Sequence, residues 1–357
     1  MGVNATACAP KPHTVPEHDP GGWSEAPGAA TRAPSAGESL PPEPKAWWDT
    51  GLGRAASGPL AFGDLVIAGM AVDRNVSVLE RATGDRLWRK RLNAPGTTGP
   101  VLAGDRIFTA TGGTDGRVYG FTVDGKKLWE RRVSFVHGPL ALVNGLVVAA
   151  TETGGVVALE ARSGKPSWSR RVAQATRAGV AVHDDALLVA GEDTLYRLSP
   201  ADGATIARGA LPGTPIAPLA RQGDTLLLAT ADGRVAALGA TDLAILWTLD
   251  VNGMVFGSPA IARDSAFVVT LRGDLWRIPL GNPIQARALH LGTAVRAPAA
   301  PVRDGVLIGT LAGEILLVRG EAVAPLGRVE GPIEQAIIVQ DGVMYVVDGR
   351  GRVHAWR

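Results

Sequence analysis

The chain has one cysteine, Cys8, and six histidines in 357 residues. A single thiol excludes an internal disulfide framework and any multi-cysteine metal site, and six scattered imidazoles leave little material for a histidine cluster. Charge of one sign is lacking too. The 36 Lys and Arg residues nearly balance 34 Asp and Glu residues, a formal net charge of +2. That composition supports neither nucleic-acid binding nor a self-repelling coil. No stretch approaches the roughly 18 to 20 apolar residues of a membrane-spanning helix, since Asn144-Gly145 interrupts even the patch from Leu140 to Leu159. Aromatic residues are sparse at 5%, and the tryptophans among them mark the register of the sequence.

Residues 1 to 44 are rich in Pro, Gly, Ala, Ser and Glu without periodicity, which predicts a disordered leader or tether. From Lys45 to Arg357 the texture changes to short strings of Val, Leu, Ile and Ala divided by Asp-Gly, Asn-Gly and Gly-Asp turns. Beneath it lies a repeat. Ala82-Thr-Gly-Asp-Arg-Leu-Trp88, Val123-Asp-Gly-Lys-Lys-Leu-Trp129 and Arg162-Ser-Gly-Lys-Pro-Ser-Trp168 each place a glycine four residues before a tryptophan, at spacings of 41 and 39. A fourth unit keeps Ala201-Asp202-Gly203 but carries Ala207 at the aromatic position, and Trp247 restores it 40 residues on. Each unit starts at a small residue or Gly-Pro pair and continues through two apolar strands, a glycine turn, a third strand and the tryptophan strand. Four short strands about every forty residues predict a propeller blade, whose apolar faces are covered by its neighbours.

Blade starts recur near Gly58, Gly99, Gly138, Gly179, Pro215, Gly257, Arg296 and Gly331, although the fourth strands around Ala286 to Leu291 and Pro325 to Val329 are degenerate. The last unit ends after three strands. Lys45-Ala-Trp-Trp48-Asp-Thr-Gly has fourth-strand character, and Trp48 precedes Trp88 by 40 residues, one period. The expectation is an all-β, eight-bladed propeller of four-stranded antiparallel blades over 45–357, closed by an N-terminal strand in the last blade.

This assignment gives most notable residues a structural role. Trp48, Trp88, Trp129, Trp168 and Trp247 fill the widening gap between blades, and Ala207 should leave a space. Gly84, Gly125, Gly164 and Gly203 permit tight turns. The basic runs Arg89-Lys90-Arg91, Arg131-Arg132 and Arg170-Arg171 guard outermost strands against pairing, or meet an acidic protein or a membrane surface. His137, His183, His290 and His354 share no offset and read as ordinary surface or turn residues; phosphate loops and a Gly-x-Ser-x-Gly elbow are missing. No catalytic constellation, metal site or cofactor site is expected. Partner-contact candidates are Phe135, Phe256, Arg131, Arg170 and Arg296, on the rim or at the channel mouth.

Leu79-Glu-Arg-Ala-Thr-Gly-Asp-Arg-Leu-Trp88 and Leu159-Glu-Ala-Arg-Ser-Gly-Lys-Pro-Ser-Trp168 resemble repeats of the pyrroloquinoline-quinone-like propeller superfamily, and the resemblance spans about 45 to 357. Eight blades closed by an N-terminal strand resemble in particular the lipoprotein of the outer-membrane β-barrel assembly machinery. That resemblance implies a noncatalytic scaffold on the periplasmic side of the bacterial outer membrane that contacts the central barrel-assembly subunit and assists delivery of nascent outer-membrane proteins; the propeller is expected to be monomeric. Ala5-Thr6-Ala7-Cys8 matches the small-residue pattern before a lipidated cysteine, so Cys8 is a candidate membrane tether, with a soluble periplasmic protein as the alternative. Quinone-dependent dehydrogenases share the propeller framework, and a sensor or glycan-binding propeller would share every feature above.

Overall fold

The computed structural model describes residues 38–41, 43–53, 58–70 and 73–357. Cys8 and most of the expected leader lie outside them. The strands form eight separate four-stranded antiparallel sheets. Blade 1 contains Leu60–Phe62, Leu65–Met70, Asn75–Glu80 and Arg86–Arg91, from the innermost strand outward. Blades 2 to 7 repeat this order over residues 101–132, 141–171, 180–210, 220–250, 260–290 and 300–328. Blade 8 takes Ile338–Gln340, Val343–Val347 and Arg352–Trp356 from the C-terminus and its outermost strand, Ala46–Gly51, from the N-terminus. The N-terminal strand pairs antiparallel, Trp48 opposite Ala355 and Thr50 opposite Val353. Lys45 and Arg357 exchange both backbone hydrogen bonds, at 2.8 and 3.0 Å.

Second strands such as Val343–Val347 are buried at every residue, whereas outermost strands such as Arg86–Arg91 alternate exposed and half-buried positions. The core is therefore divided among the blade interfaces. One apolar cluster fills each of the eight, from Leu79 with Val353 between blades 1 and 8 to Leu307 with Met344 between blades 7 and 8. The turn from second to third strand recurs as well: a buried Thr111, Thr151, Thr230, Thr270 or Thr310 hydroxyl accepts the backbone N–H of the residue that opens the third strand, and Asp348 does so in blade 8.

The tryptophans and the glycine turns form one contact. Each ring projects from an outermost strand and lies on the third-to-fourth-strand turn of the following blade. A Cβ on Gly84 would come within 2.6 Å of Trp48, on Gly125 within 2.9 Å of Trp88, on Gly164 within 2.5 Å of Trp129 and on Gly203 within 2.6 Å of Trp168. These glycines also have positive φ, from 66° to 90°. The indole N–H then donates to a carbonyl of the same turn: Trp48 to Arg81 (2.9 Å), Trp88 to Val123 (2.7 Å), Trp129 to Ala161 (3.0 Å), Trp168 to Pro200 (2.7 Å) and Trp247 to Leu280 (3.2 Å). A β-bulge just before each of these tryptophans, at Trp47, Leu87, Leu128, Ser167 and Leu246, adds one residue to the strand and increases its local twist.

Ala207 packs, half-buried, against the apolar cluster between blades 4 and 5. The turn of blade 5 carries Leu243, φ 59°, where the other turns carry glycine, and this side chain, 1% exposed, packs into the cluster that includes Ala207. Loss of the large residue on one blade is thus matched by gain on the next. The degenerate outer strands of blades 6 and 7 also have local causes. A 3-10 turn at Pro283–Gln285 precedes the outer strand of blade 6, and in blade 7 the bulge moves to Leu326, while Trp356 of blade 8 rests on Gly327.

Arg81 completes ring closure. Its Nε donates to the Tyr345 hydroxyl (2.8 Å), one terminal nitrogen to Asp341 (2.8 Å) and the other to the Gln340 carbonyl (3.0 Å), so one blade 1 side chain engages three groups of blade 8. Burial pushes the Tyr345 phenol above its usual range. Trp48→Ala is expected to destabilise the protein by ~3 kcal/mol in urea unfolding. Gly84→Ala should also destabilise wild type, but less when Trp48 is already alanine; strict additivity of the two substitutions would show that they do not form one contact.

Candidate interaction surface at the channel mouth

The meander fixes which segments share a face. Links from each outermost strand to the next innermost strand lie on the same side as the second-to-third-strand turns, and the tryptophan-bearing turns lie on the other. On the first side, the blade starts surround one cavity of about 640 Å³, with Gly58, Thr98, Gly138, Ala217, Gly257, Pro298 and Gln335 among its walls. All eight blades contribute. Small residues and prolines allow the links to converge near the axis: a Cβ on Gly138 would lie 2.5 Å from the Gly179 nitrogen, and one on Gly257 2.7 Å from the Pro298 Cα.

Polar and aromatic side chains meet across blade boundaries here. Arg296 lies over the Phe256 ring, 4.7 Å from its centroid, and donates to Glu334 at 2.9 Å. These residues start blades 6, 7 and 8. On the opposite part of the mouth, the Phe135 and His137 rings stack at 5.8 Å, His137 Nδ1 lies 3.3 Å from the Arg177 carbonyl, and the Arg177 guanidinium is 3.5 Å from Glu152. Arg296 and Glu334 retain 46% and 40% of their side-chain exposure, and Arg177 and Glu152 49% and 38%. Both pairs are therefore open to exchange with groups on a partner. On this face of blade 2, Arg117 bridges Asp115 (2.8 Å) and Glu130 (2.6 Å), and its hydrogen bond holds the Asp115 carboxyl below the usual range.

The five sequence-derived contact candidates fall into two groups. Phe256 and Arg296 form one cation–π pair, and Phe135 stacks on a residue that lines the same cavity. Arg131 and Arg170 lie elsewhere. Arg131 Nε donates to the Gly164 carbonyl at 2.9 Å, and the Arg170 stem covers Gly203, so both flank the tryptophan–glycine contacts of the rim. Glu334, Arg177, Glu152 and His137 are additional mouth residues. Their signal was spacing: Phe256 and Arg296 are separated by one repeat, as are His137 and Arg177, and residues one period apart become neighbours between blades. His183 differs from an ordinary surface histidine. It is buried, accepts a hydrogen bond from Arg221 at Nδ1 (3.1 Å) and faces Asp224 at Nε2 (3.2 Å), linking blades 4 and 5. No cluster of three or more His, Cys, Asp or Glu residues suited to a metal ion occurs among the described residues.

Eight four-stranded blades around a loop-lined mouth, with tryptophan–glycine contacts at four of their interfaces, define a propeller of pyrroloquinoline-quinone-like repeats. A family model described as outer membrane protein assembly factor BamB matches residues 44–183 and 153–357. The chain belongs to that family. A relative named outer membrane protein assembly factor BamB, from Burkholderia pseudomallei (strain K96243), is 31% identical over 145 residues, 39% of this chain and 37% of the relative, so the alignment spans little more than a third of that protein. The crystal structure of BamB from Moraxella catarrhalis superposes with a TM-score of 0.75 at 15% identity, covering 88% of this chain and 99% of that one. The computationally designed protein Ika8 gives 0.72 at 17% identity, covering 86% and 97%. The quinohemoprotein alcohol dehydrogenase ADHIIG from Pseudomonas putida HK5 gives 0.70 at 12% identity, covering 88% and 76%. At these identities the structural likenesses show a shared fold.

Because its ion pair and ring contact are half exposed, Arg296→Ala is expected to change the unfolding free energy by less than about 1 kcal/mol. Urea titration checks this; a loss of several kcal/mol would make Arg296 a structural clamp.

Proposed function

We propose that this chain is a noncatalytic accessory scaffold in bacterial outer-membrane protein assembly, and that it binds the central barrel-assembly subunit through the channel-mouth face. Membership of the assembly-factor family supports the process. The observation that carries the site is the gathering of Phe256, Arg296 and Glu334 from three blades beside a cavity of about 640 Å³. Half-exposed Arg and aromatic side chains around a concave surface are the types that dominate protein interfaces. The rim residues Arg131 and Arg170 are engaged in blade docking and are secondary contacts in this reading.

The proposal places the propeller on the periplasmic side of the outer membrane as a monomer, attached through a lipid on Cys8, with residues 9–44 as the connection. No helix among the described residues is long and apolar enough to cross a membrane, so attachment in this reading depends on Cys8. The native protein should gain the mass of an acylated cysteine, and Cys8→Ser should lose it; a native mass equal to that of the unmodified polypeptide would remove the lipid anchor.

Affinity capture from envelope extracts should recover the barrel-assembly subunit. The double substitution Phe256→Ala and Arg296→Ala should reduce recovery at least tenfold with an unchanged unfolding midpoint. Undiminished capture would exclude the mouth as the binding surface, and recovery of no assembly subunit by the wild-type chain would overturn the scaffold reading.

A further inference from the structure

The cations of the outermost strands are gathered on one sector of the ring. In blades 1 to 3 the three residues after the tryptophan are Arg89-Lys90-Arg91, Glu130-Arg131-Arg132 and Ser169-Arg170-Arg171, so seven of nine positions are Lys or Arg. Register makes them equivalent: Arg91, Arg132 and Arg171 stand opposite Asn75, Arg117 and Gly155, the first residues of the third strands. By the same register the outer strands of blades 4 to 8 end at Ala210, Asp250, His290, Arg328 and Gly51. Their fifteen equivalent positions hold two Lys or Arg residues, Arg208 and Arg328, and two acids, Asp49 and Asp250. Edge protection alone does not require this concentration, since the outer strands of blades 5 and 8 contain neither Lys nor Arg.

The band is open and largely unneutralised. Arg89, Arg91, Arg132, Arg170 and Arg171 are exposed, and Lys90 and Arg131 are half-buried. Among the described residues, Arg132 alone of the seven forms an ion pair, with Asp115 at 3.0 Å. Glu130, the one carboxylate on these three strands, is already engaged by Arg117 at 2.6 Å and Lys127 at 2.8 Å. In a chain whose formal net charge is only +2, like charge is therefore held together on one arc of the rim, where it repels itself until a counter-charge arrives.

We propose that this sector docks the propeller on a bilayer containing anionic phospholipids, whose headgroup phosphates supply that counter-charge. The band lies on the convex rim, and mobile headgroups can meet cations spread over three blades without a fixed pocket. The chain also enters the ring beside it, through Ala46–Gly51 on blade 8, the neighbour of blade 1. The Cys8 anchor proposed above would hold this sector near the membrane, and the choice of lipid over an acidic protein rests on that anchor. A lipid chain and a basic surface are the two signals that together give stable attachment. Phe256, Arg296 and Glu334 start blades 6, 7 and 8, so the mouth group stays clear of the docked sector.

The Cys8→Ser chain, which can carry no lipid there, is sedimented with vesicles of phosphatidylcholine alone or mixed with phosphatidylglycerol. It should bind the mixed vesicles only, and less as salt rises. Arg89→Glu, Lys90→Glu and Arg91→Glu together keep a charged edge but reverse its sign, and should weaken binding at least tenfold with an unchanged unfolding midpoint. The pair Arg91→Glu and Arg171→Glu, on two blades, should also weaken it. Arg287→Glu, Arg319→Glu and Arg328→Glu together make the same change of net charge on blades 6 and 7 and should cost less than threefold. Absence of binding to mixed vesicles, equal binding to phosphatidylcholine alone, or equal losses in the two triple variants would each overturn the proposal. Binding of polyglutamate but not of mixed vesicles would assign the sector to an acidic protein and overturn it as well. Vesicle binding by the Cys8→Ser chain is read independently of the anchor and of subunit capture, which the native mass and envelope extracts decide.

Discussion

An indole stacked on a side-chain-free turn of the next blade is the constraint on which this ring depends. The contact needs a large flat donor on one blade. On its neighbour it needs a turn at positive φ, without a Cβ, that presents a carbonyl to the indole nitrogen. At Trp48–Gly84, Trp88–Gly125, Trp129–Gly164 and Trp168–Gly203 these requirements coincide. Burial and hydrogen-bond direction then act together: the ring covers the turn, and its polar atom is satisfied by the surface it covers. The Trp48 contact also closes the circle, because it joins the N-terminal strand of blade 8 to blade 1 while Arg81 connects blade 1 back to Tyr345 and Asp341.

The same meander separates cohesion from recognition. Tryptophan contacts gather at the third-to-fourth-strand turns, leaving the opposite links free to differ between blades. Those links carry the Phe256–Arg296–Glu334 and His137–Arg177–Glu152 groupings. Changes there disturb few interblade apolar contacts, which accounts for half-exposed ion pairs around a cavity in an otherwise close-packed ring. The outermost strands form a third region, where unpaired backbone groups make the distribution of charge important; blades 1 to 3 are heavily basic, and blade 5 is not.

Much of the fold was legible because the repeat is covalently local. The Gly-to-Trp offset, the forty-residue period and the three-strand last unit identify eight blades and their closure, and the Trp47-Trp48 segment occupies the predicted place. The period also held information about the site: Phe256 with Arg296, and His137 with Arg177, meet because residues one repeat apart lie side by side between blades. Reading each histidine alone obscured this. Leu243 was harder to recognise, since its effect requires the turn of blade 5 to be superposed on that of blade 4, where Ala207 has removed the ring that glycine elsewhere accommodates.

By itself the sequence determined the number of blades, the order of strands within each and the chain terminus that completes the last, because turn chemistry and hydrophobic spacing act over a few residues and recur. Tertiary structure alone decided that the rings of Trp48, Trp88, Trp129 and Trp168 lie on the glycine turn of the next blade and that Leu243 packs into the cluster that includes Ala207. Those outcomes depend on register between strands and on the curvature that brings separate repeats together, and neither is encoded in any one segment.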